Sequence, residues 1–486
     1  MALLAASLTG AAVADFPVEK RNSTADDRLV FAHFMIDIVS DRTSPSDYDT
    51  DMTLAQSVGI DAFALNIGTE SFSDTQLYLA YASALSSNMK VFLSFDFASK
   101  TNNSWSTGQA AEIGAKIAQF AWLPAQLLID DKPFVSTHGG DGLDVGLLRL
   151  FAGREIFFAP NFDPKKGTDF GLVDGALNWN AWPNNGNGGP PTADANFTVE
   201  DGDQTYLAAL GSRAYIAPVS PWFFTHMSAS QNYILPSDTL WYDRWTELLN
   251  LGPRFVEILT WNDYRDSSYV GPLAGKHTDD GSSKWVNDMT HLPLLHISTP
   301  FISAYHSSLT TPSVPTTDSI TYMYRRVPRL IPCPTTDTID APPTGYLQLA
   351  DSIFAITALA SPGTLNIQTG SLTIDFPVPA GFALHAIDFG LGSQYVALKR
   401  DGAIVLQATG AWQIQFVCVC GVYDFNVFSG SVPAVPLEVT GLVVPDQLAA
   451  DGLAEFEAGL KVTTCLAEPS LTVAAGASEA VATPTA

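Results

Sequence analysis

Residue patterning predicts an α/β fold: a TIM (β/α)8 barrel over residues 27–309, then a C-terminal β-sandwich domain over residues 341–465. Three observations carry the prediction. Short apolar runs alternate with helix-like segments from Arg28 to Leu309, eight times over, as in parallel strands joined by helices. Polar side chains recur at the C-terminal ends of those runs, where a barrel gathers its functional groups. Beyond a Pro/Thr-rich linker (310–340), the pattern becomes short alternating runs punctuated by turn residues.

The eight predicted strands are Val30–Met35, Ala62–Ile67, Val91–Phe97, Phe134–Thr137, Ile156–Asn161, Ala176–Trp179, Ala214–Val219 and Phe255–Trp261. Amphipathic segments between them include Asp47–Val58, Thr75–Ser86, Gly108–Phe120, Leu143–Phe151 and Thr239–Asn250. Asp47 and Ser73 stand where helix caps belong, and Gly59 and Gly252 follow helix ends. A doubly wound open sheet is the alternative, but no Gly-rich phosphate loop follows any strand, so nucleotide chemistry has no foothold. In the last domain the predicted strands are Tyr346–Ala350, Thr364–Gln368, Leu384–Phe389, Gln394–Lys399, Ala403–Ala408, Ile414–Val419 and Phe425–Ser429. Residues 466–486, rich in Ala, Thr, Ser and Pro, are expected to be a disordered tail.

Met1–Ala14 is apolar and ends Ala12-Val13-Ala14, a small-x-small pattern that reads as a signal peptide, shortened or atypical in lacking basic leading residues. Asn22, Asn102 and Asn196 head glycosylation sequons. The four cysteines, Cys333, Cys418, Cys420 and Cys465, all lie in the C-terminal third. On a strand, Cys418 and Cys420 share a face, so disulfides to Cys333 and Cys465 fit an oxidising compartment. Zinc is the rival, and no His spacing supports it. With 24 basic against 50 acidic residues and a net charge of −26, nucleic acid is excluded as a partner. No apolar run is long enough for a membrane span. These features together predict an extracellular monomer acting on an uncharged substrate.

The stretch Thr260-Trp261-Asn262-Asp263-Tyr264-Arg265-Asp266 closes the last barrel strand with aromatic, amide and acidic groups. Asp96 ends the strand Phe92-Leu93-Ser94-Phe95-Asp96-Phe97, where a lone acid costs stability unless paired or catalytic. Asp263 and Asp266 can both enter the bowl at the strand ends, and Asp96 can approach from across it. Glycosidic hydrolysis needs one acid to protonate the leaving oxygen and a base or nucleophile on the other face of the ring; inverting enzymes separate the pair by about 6.5–9.5 Å. Which of the three protonates is left open by the residues alone. Glu257 is a rival acid, but mid-strand it reads as an interior group. His33, Asn66 and Asn161 add polar groups at strand ends, and Trp182, Trp222, Trp261 and Tyr264 offer flat faces for sugar rings. The His are scattered without metal-ligand spacing, and no serine elbow appears.

These residues resemble a known family. Val30-Phe31-Ala32-His33-Phe34-Met35, Gly59-Ile60-Asp61-Ala62-Phe63-Ala64-Leu65-Asn66, the Asp96 strand, Ala217-Pro218-Val219-Ser220-Pro221-Trp222 and Trp261-Asn262-Asp263-Tyr264 are similar to the fungal α-1,3-glucanases (mutanases) of glycoside hydrolase family seventy-one. So are Asp279-Asp280-Gly281-Ser282-Ser283-Lys284-Trp285 and Cys420-Gly421-Val422-Tyr423-Asp424-Phe425-Asn426. The resemblance implies a barrel with a β-sandwich, secretion, no cofactor, and inverting endo-hydrolysis of α-1,3-glucan in fungal cell walls. It places essential acids on Asp96, Asp263 and Asp266. Three residues depart from the family's pattern around Asp263: Arg265 replaces Gly, Asp266 replaces Glu and Ser268 replaces His. Asn180 also stands where the family's Asp is expected after Trp179. A catalytically weakened or silent α-glucan-binding wall protein is therefore the alternative reading.

Overall fold

The computed structural model describes residues 28–98, 103–273, 277–278, 281–333, 337, 339, 341–418 and 421–435. The predicted signal peptide (1–14), Asn22, Asn102, Cys420, Cys465 and the tail 466–486 lie outside the described residues. The molecule is mixed α/β, with one curled, mainly parallel sheet and further antiparallel sheets.

Eight parallel strands build the curled sheet: β1 (Leu29–Met35), β2 (Ala62–Ile67), β3 (Lys90–Asp96), β4 (Lys132–His138), β5 (Phe157–Phe158), β6 (Gly175–Leu177), β7 (Ala214–Val219) and β8 (Phe255–Ile258). They pair in the order β5-β4-β3-β2-β1-β8-β7-β6, and Leu128–Ile129 adds antiparallel to β4. The first and last strands are thus neighbours, with Phe31 opposite Glu257. Between the two edges, Asp174 N–H donates to Phe158 O at 2.9 Å and Leu177 N–H to Pro160 O at 3.0 Å.

Alternation along the strands sorts side chains into two layers. Val30, Ala32, Phe34, Leu65, Leu93, Val135 and Val256 pack outward against helices, and burial of each of the larger side chains contributes about 1.5–3 kcal/mol. Phe31, Phe92, Phe134, Phe157 and Phe255 fill the base of the inward face; the Phe31 ring lies 5.0 Å from Phe92 and 5.3 Å from Phe255. Two residues further along β1, β2, β3 and β8, the inward positions become polar: His33, Asn66, Ser94 and Glu257, all buried.

The helices are α1 (Asp49–Ser57), α2 (Ser73–Ser87), α3 (Ala110–Phe120), α4 (Val145–Ala152), α5 (Val199–Leu210), α6 (Leu240–Leu251) and α7 (Leu292–His306). Asp144 caps α4 by accepting from Leu147 N–H, and Thr198 with Asp201 forms a capping box on α5. Gly252 ends α6 in the left-handed region at φ 59°, as its position after an amphipathic run leads one to expect. Ser73 opens α2 but its side chain bonds Glu70, and Asp47 lies in a short 3-10 turn instead of capping α1.

Two antiparallel four-stranded sheets follow. One runs β13 (Gly381–Asp388), β10 (Ser352–Leu359), β9 (Ser319–Arg325), β16 (Val427–Val432). The other runs β12 (Leu372–Val378), β11 (Gly363–Thr369), β14 (Gln394–Arg400), β15 (Ala403–Thr409). Ile320, Ile353, Leu365, Ile367, Val396 and Leu398 from both sheets, with Trp412 from the loop after β15, share one apolar cluster. Strand β9 lies inside the stretch read as a linker, because its apolar residues (Ile320, Tyr322, Met323, Tyr324) are flanked so closely by Pro and Thr. Tyr346–Gln348 is a 3-10 turn, not a strand, and Ile414 makes only an isolated bridge to Gly392. A disulfide joins Cys333 to Cys418.

Candidate active site

The strand ends of the curled sheet open into a cleft of about 300 Å³. Asp37 beyond β1, Asp96 ending β3, His138 ending β4 and Trp179 beyond β6 line it, together with Asp263, Tyr264, Arg265 and Asp266 beyond β8. Trp182, Phe223 and the hairpin Phe224–Ser228/Gln231–Ile234, through Gln231 and Tyr233, complete the wall. The three acids singled out in the sequence therefore face one cavity.

The loop 260–268 is held by its own hydrogen bonds. Thr260 N–H donates to Ser268 O at 2.8 Å, and Asp263 N–H donates to Thr260 Oγ1 at 2.8 Å. Asn262 grips the end of β1: its Oδ1 accepts from Met35 N–H at 2.7 Å while its Nδ2 donates to Met35 O at 3.1 Å. Asp263 Oδ1 then accepts from Asp266 N–H at 3.2 Å, so the two acids stand on one turn. Burial pushes the Asp263 carboxyl well above the usual carboxylate range, reinforced by the charges of Asp266 and Asp37. The Asp266 N–H and the Arg265 cation oppose that rise without cancelling it. Burial and the charges of Asp266 and Asp263 likewise push the Tyr233 hydroxyl upward, so it stays protonated opposite the acids.

Asp96 is set differently. Its Oδ1 accepts from Ala98 N–H at 2.8 Å and lies 3.4 Å from His138 Nδ1. His138 stacks on Trp179 with centroids 3.8 Å apart and planes 19° apart. The site thus sets a carboxyl of raised proton affinity, further acidic side chains and an aromatic platform within one cavity.

Of the predicted sugar contacts, Trp182 and Tyr264 line the cleft. The other five do not. His33 is buried beneath it, bonding Glu257 at 2.7 Å, and Asn66 is buried on the same layer. Asn161 donates to Leu177 O and Tyr206 and accepts from Gly139 N–H, tying loops together. Trp222 is fully buried and donates to Phe425 O at 3.0 Å. Trp261 is fully buried and donates to Asp51 at 2.8 Å, which in turn holds Arg42 at 2.7 Å. His33 and Asn66 lie too deep in their strands, Trp261 is turned to the helix layer, Trp222 is turned to the cluster around Phe425, and Asn161 is engaged by loop hydrogen bonds. Asn180 lines the cleft, and Asn196 is exposed on the surface.

Asp37, His138 and Tyr233 were not singled out from the sequence. Asp37 lies two residues beyond the predicted end of the first strand, and His138 one residue beyond that of the fourth. Both were legible had the strands been extended. Tyr233 sits on a hairpin whose turn, Ala229-Ser230, carries no Gly or Asn to announce it.

Comparison with known proteins finds clear relatives of this chain. The sequence profile of the Glycosyl hydrolase family 71 matches residues 26–440. A mutanase of Penicillium rubens is 40% identical over 419 residues, covering 84% of this chain and 90% of its own length. A glucan endo-1,3-alpha-glucosidase of Schizosaccharomyces pombe is 33% identical, covering 84% and 96%. An ascus wall endo-1,3-alpha-glucanase of the same yeast is 30% identical, covering 82% and 96%.

Proposed function

The chain belongs to glycosyl hydrolase family 71, and from that premise we propose that it is a secreted glycosidase that cleaves α-1,3-glucan internally, with inversion, in the cleft above β1, β3, β4 and β8. The observation that carries this reading is the meeting of Asp96, Asp263 and Asp266 on one cavity, the proton affinity of Asp263 raised by its burial there. Asp263 acts as general acid, because burial and a neighbouring carboxylate keep its proton available at pH values where an ordinary Asp has lost it. Asp266 is the base that draws a proton from the attacking water, and Asp96 faces the positive charge that develops on the ring. Trp179, Trp182, Phe223 and Tyr233 provide faces and a hydroxyl for successive sugars.

Finer points of architecture and setting belong to the same proposal. The two hydrogen bonds between β5 and β6 support a closed (β/α)8 barrel ending near Leu309, and the shared apolar cluster supports a β-sandwich after it. The disulfide and the exposed sequon at Asn196 support passage through an oxidising, glycosylating compartment. No helix among the described residues is long and apolar enough to cross a membrane.

Arg265 and Asp266 favour a second reading, an α-glucan-binding protein with weakened catalysis. Asp266 is one methylene shorter than Glu, a loss of about 1.5 Å of reach, and misplacement of about 1 Å can cost roughly 10²-fold in rate. Incubation of the purified protein with insoluble α-1,3-glucan separates the readings. Soluble sugar released above a heat-killed blank supports the enzyme; retention on the polymer with no release supports the binder.

A further inference from the structure

We infer that Glu257 and His33, buried beneath the cleft, form a positioning pair that fixes the Trp179–His138 platform against Asp96. The inference rests on the proposed site and assigns it residues that touch no sugar. Glu257 Oε1 lies 2.7 Å from His33 Nδ1, and both side chains are fully buried. His33 meets Trp179 nearly at right angles, with centroids 4.8 Å apart and planes at 82°. Trp179 stacks on His138 at 3.8 Å, and His138 Nδ1 lies 3.4 Å from Asp96 Oδ1. One unbroken run of contacts thus leads from the interior to a cleft acid.

Its cost argues for a purpose. The layer below is apolar throughout, mostly phenylalanine and alanine with leucine and isoleucine, so apolar residues fit this interior well. Instead, Glu257 Oε2, His33 Nε2, Asn66 Nδ2 and Ser94 Oγ are buried without a hydrogen-bond partner among the described residues. Each such group is destabilising unless water or a ligand satisfies it. A buried acid–imidazole pair of this kind is often no more stabilising than an apolar pair of the same volume. Stability therefore does not explain it, whereas a fixed hydrogen bond that locks the His33 ring, and through it Trp179, does.

The double variant Glu257→Leu/His33→Leu removes the pair without stranding either partner. Glu257→Gln keeps an acceptor for His33 Nδ1–H. Both are made in protein labelled with 5-fluorotryptophan, the Trp179 fluorine line being identified by its loss in Trp179→Phe. The double variant is expected to melt near the parent, to displace the Trp179 line, and to lose at least tenfold in turnover of a soluble α-1,3-gluco-oligosaccharide. Glu257→Gln is expected to leave the line in place and recover most of that turnover. An unmoved Trp179 line in the folded double variant overturns the inference. If the double variant does not fold, His33→Asn decides: it keeps a donor to Glu257 but removes the ring, and an unmoved line there overturns the inference too. Should the unmodified protein release no sugar, the proposed function fails, yet the fluorine line still decides the positioning role.

Discussion

Asp263 owes its raised pKa to a desolvated wall and to Asp266 beside it, and the consequence for pH has a definite sign. An acid catalyst works while protonated, so turnover falls as pH rises through the Asp263 pKa. Arg265 lowers that pKa; Arg265→Gly should therefore move the alkaline limb of the kcat profile to higher pH, read by initial rates across buffers. The same shift bears on stability. A folded pKa above the unfolded one stabilises at low pH, and that contribution is lost as pH rises through the folded value. Asp263→Asn should accordingly melt higher than the parent at neutral pH while losing activity by roughly 10³-fold or more. Asp96→Asn should lose activity comparably, and Asp266→Glu with Arg265→Gly should raise the rate about 10-fold or more by restoring reach and proton affinity. At this level the acids were legible because acidic residues at strand ends have few uses. The aromatics were not: Trp222 and Trp261 look the same in sequence as Trp182, and only packing separates a wall from a core.

The loop after β8 is positioned by elements that carry no chemistry. Trp261 plugs into the layer between sheet and α1, where Asp51 accepts its indole N–H and pairs with Arg42. Arg42 lies over Tyr48 at 4.4 Å, so the guanidinium is enclosed. Asp51→Ala strands that cation and frees the indole, which should destabilise by about 3–5 kcal/mol in denaturant unfolding and lower kcat through the displaced Asp263 turn. An unchanged midpoint would show the pair to be dispensable. The strands of the curled sheet and helices α1, α2, α3, α4 and α6 were readable from periodicity alone. Helix α7 was not, since Pro300 stands inside it and nearly every residue is buried, which leaves no polar stripe to reveal the period. Helix α5 was hidden by its acids and Gly202.

The C-terminal sheets are built into the cleft's support. Trp222, Phe224, Tyr264, Tyr269, Trp285, Tyr423 and Phe425 form one cluster that joins both parts of the chain. His226 on the hairpin lies 2.6 Å from Asp337, and His291 contacts Asn426 and Val427. Composition suggested separable domains; contacts of this reach across sequence could not be read from it. Calorimetry should show the full chain melting in one transition, and residues 28–309 alone should lack a cooperative melt, because their hairpin loses its backing. Two well-separated transitions would refute that dependence. In the proposed reaction the clustered acids cleave an α-linked glucan with Asp263 giving the proton. Proton NMR of α-1,3-gluco-oligosaccharide hydrolysis tests it: the parent should first release the β-anomer and Asp263→Asn nothing, whereas no release by the parent, or an undiminished rate in Asp263→Asn, would contradict it.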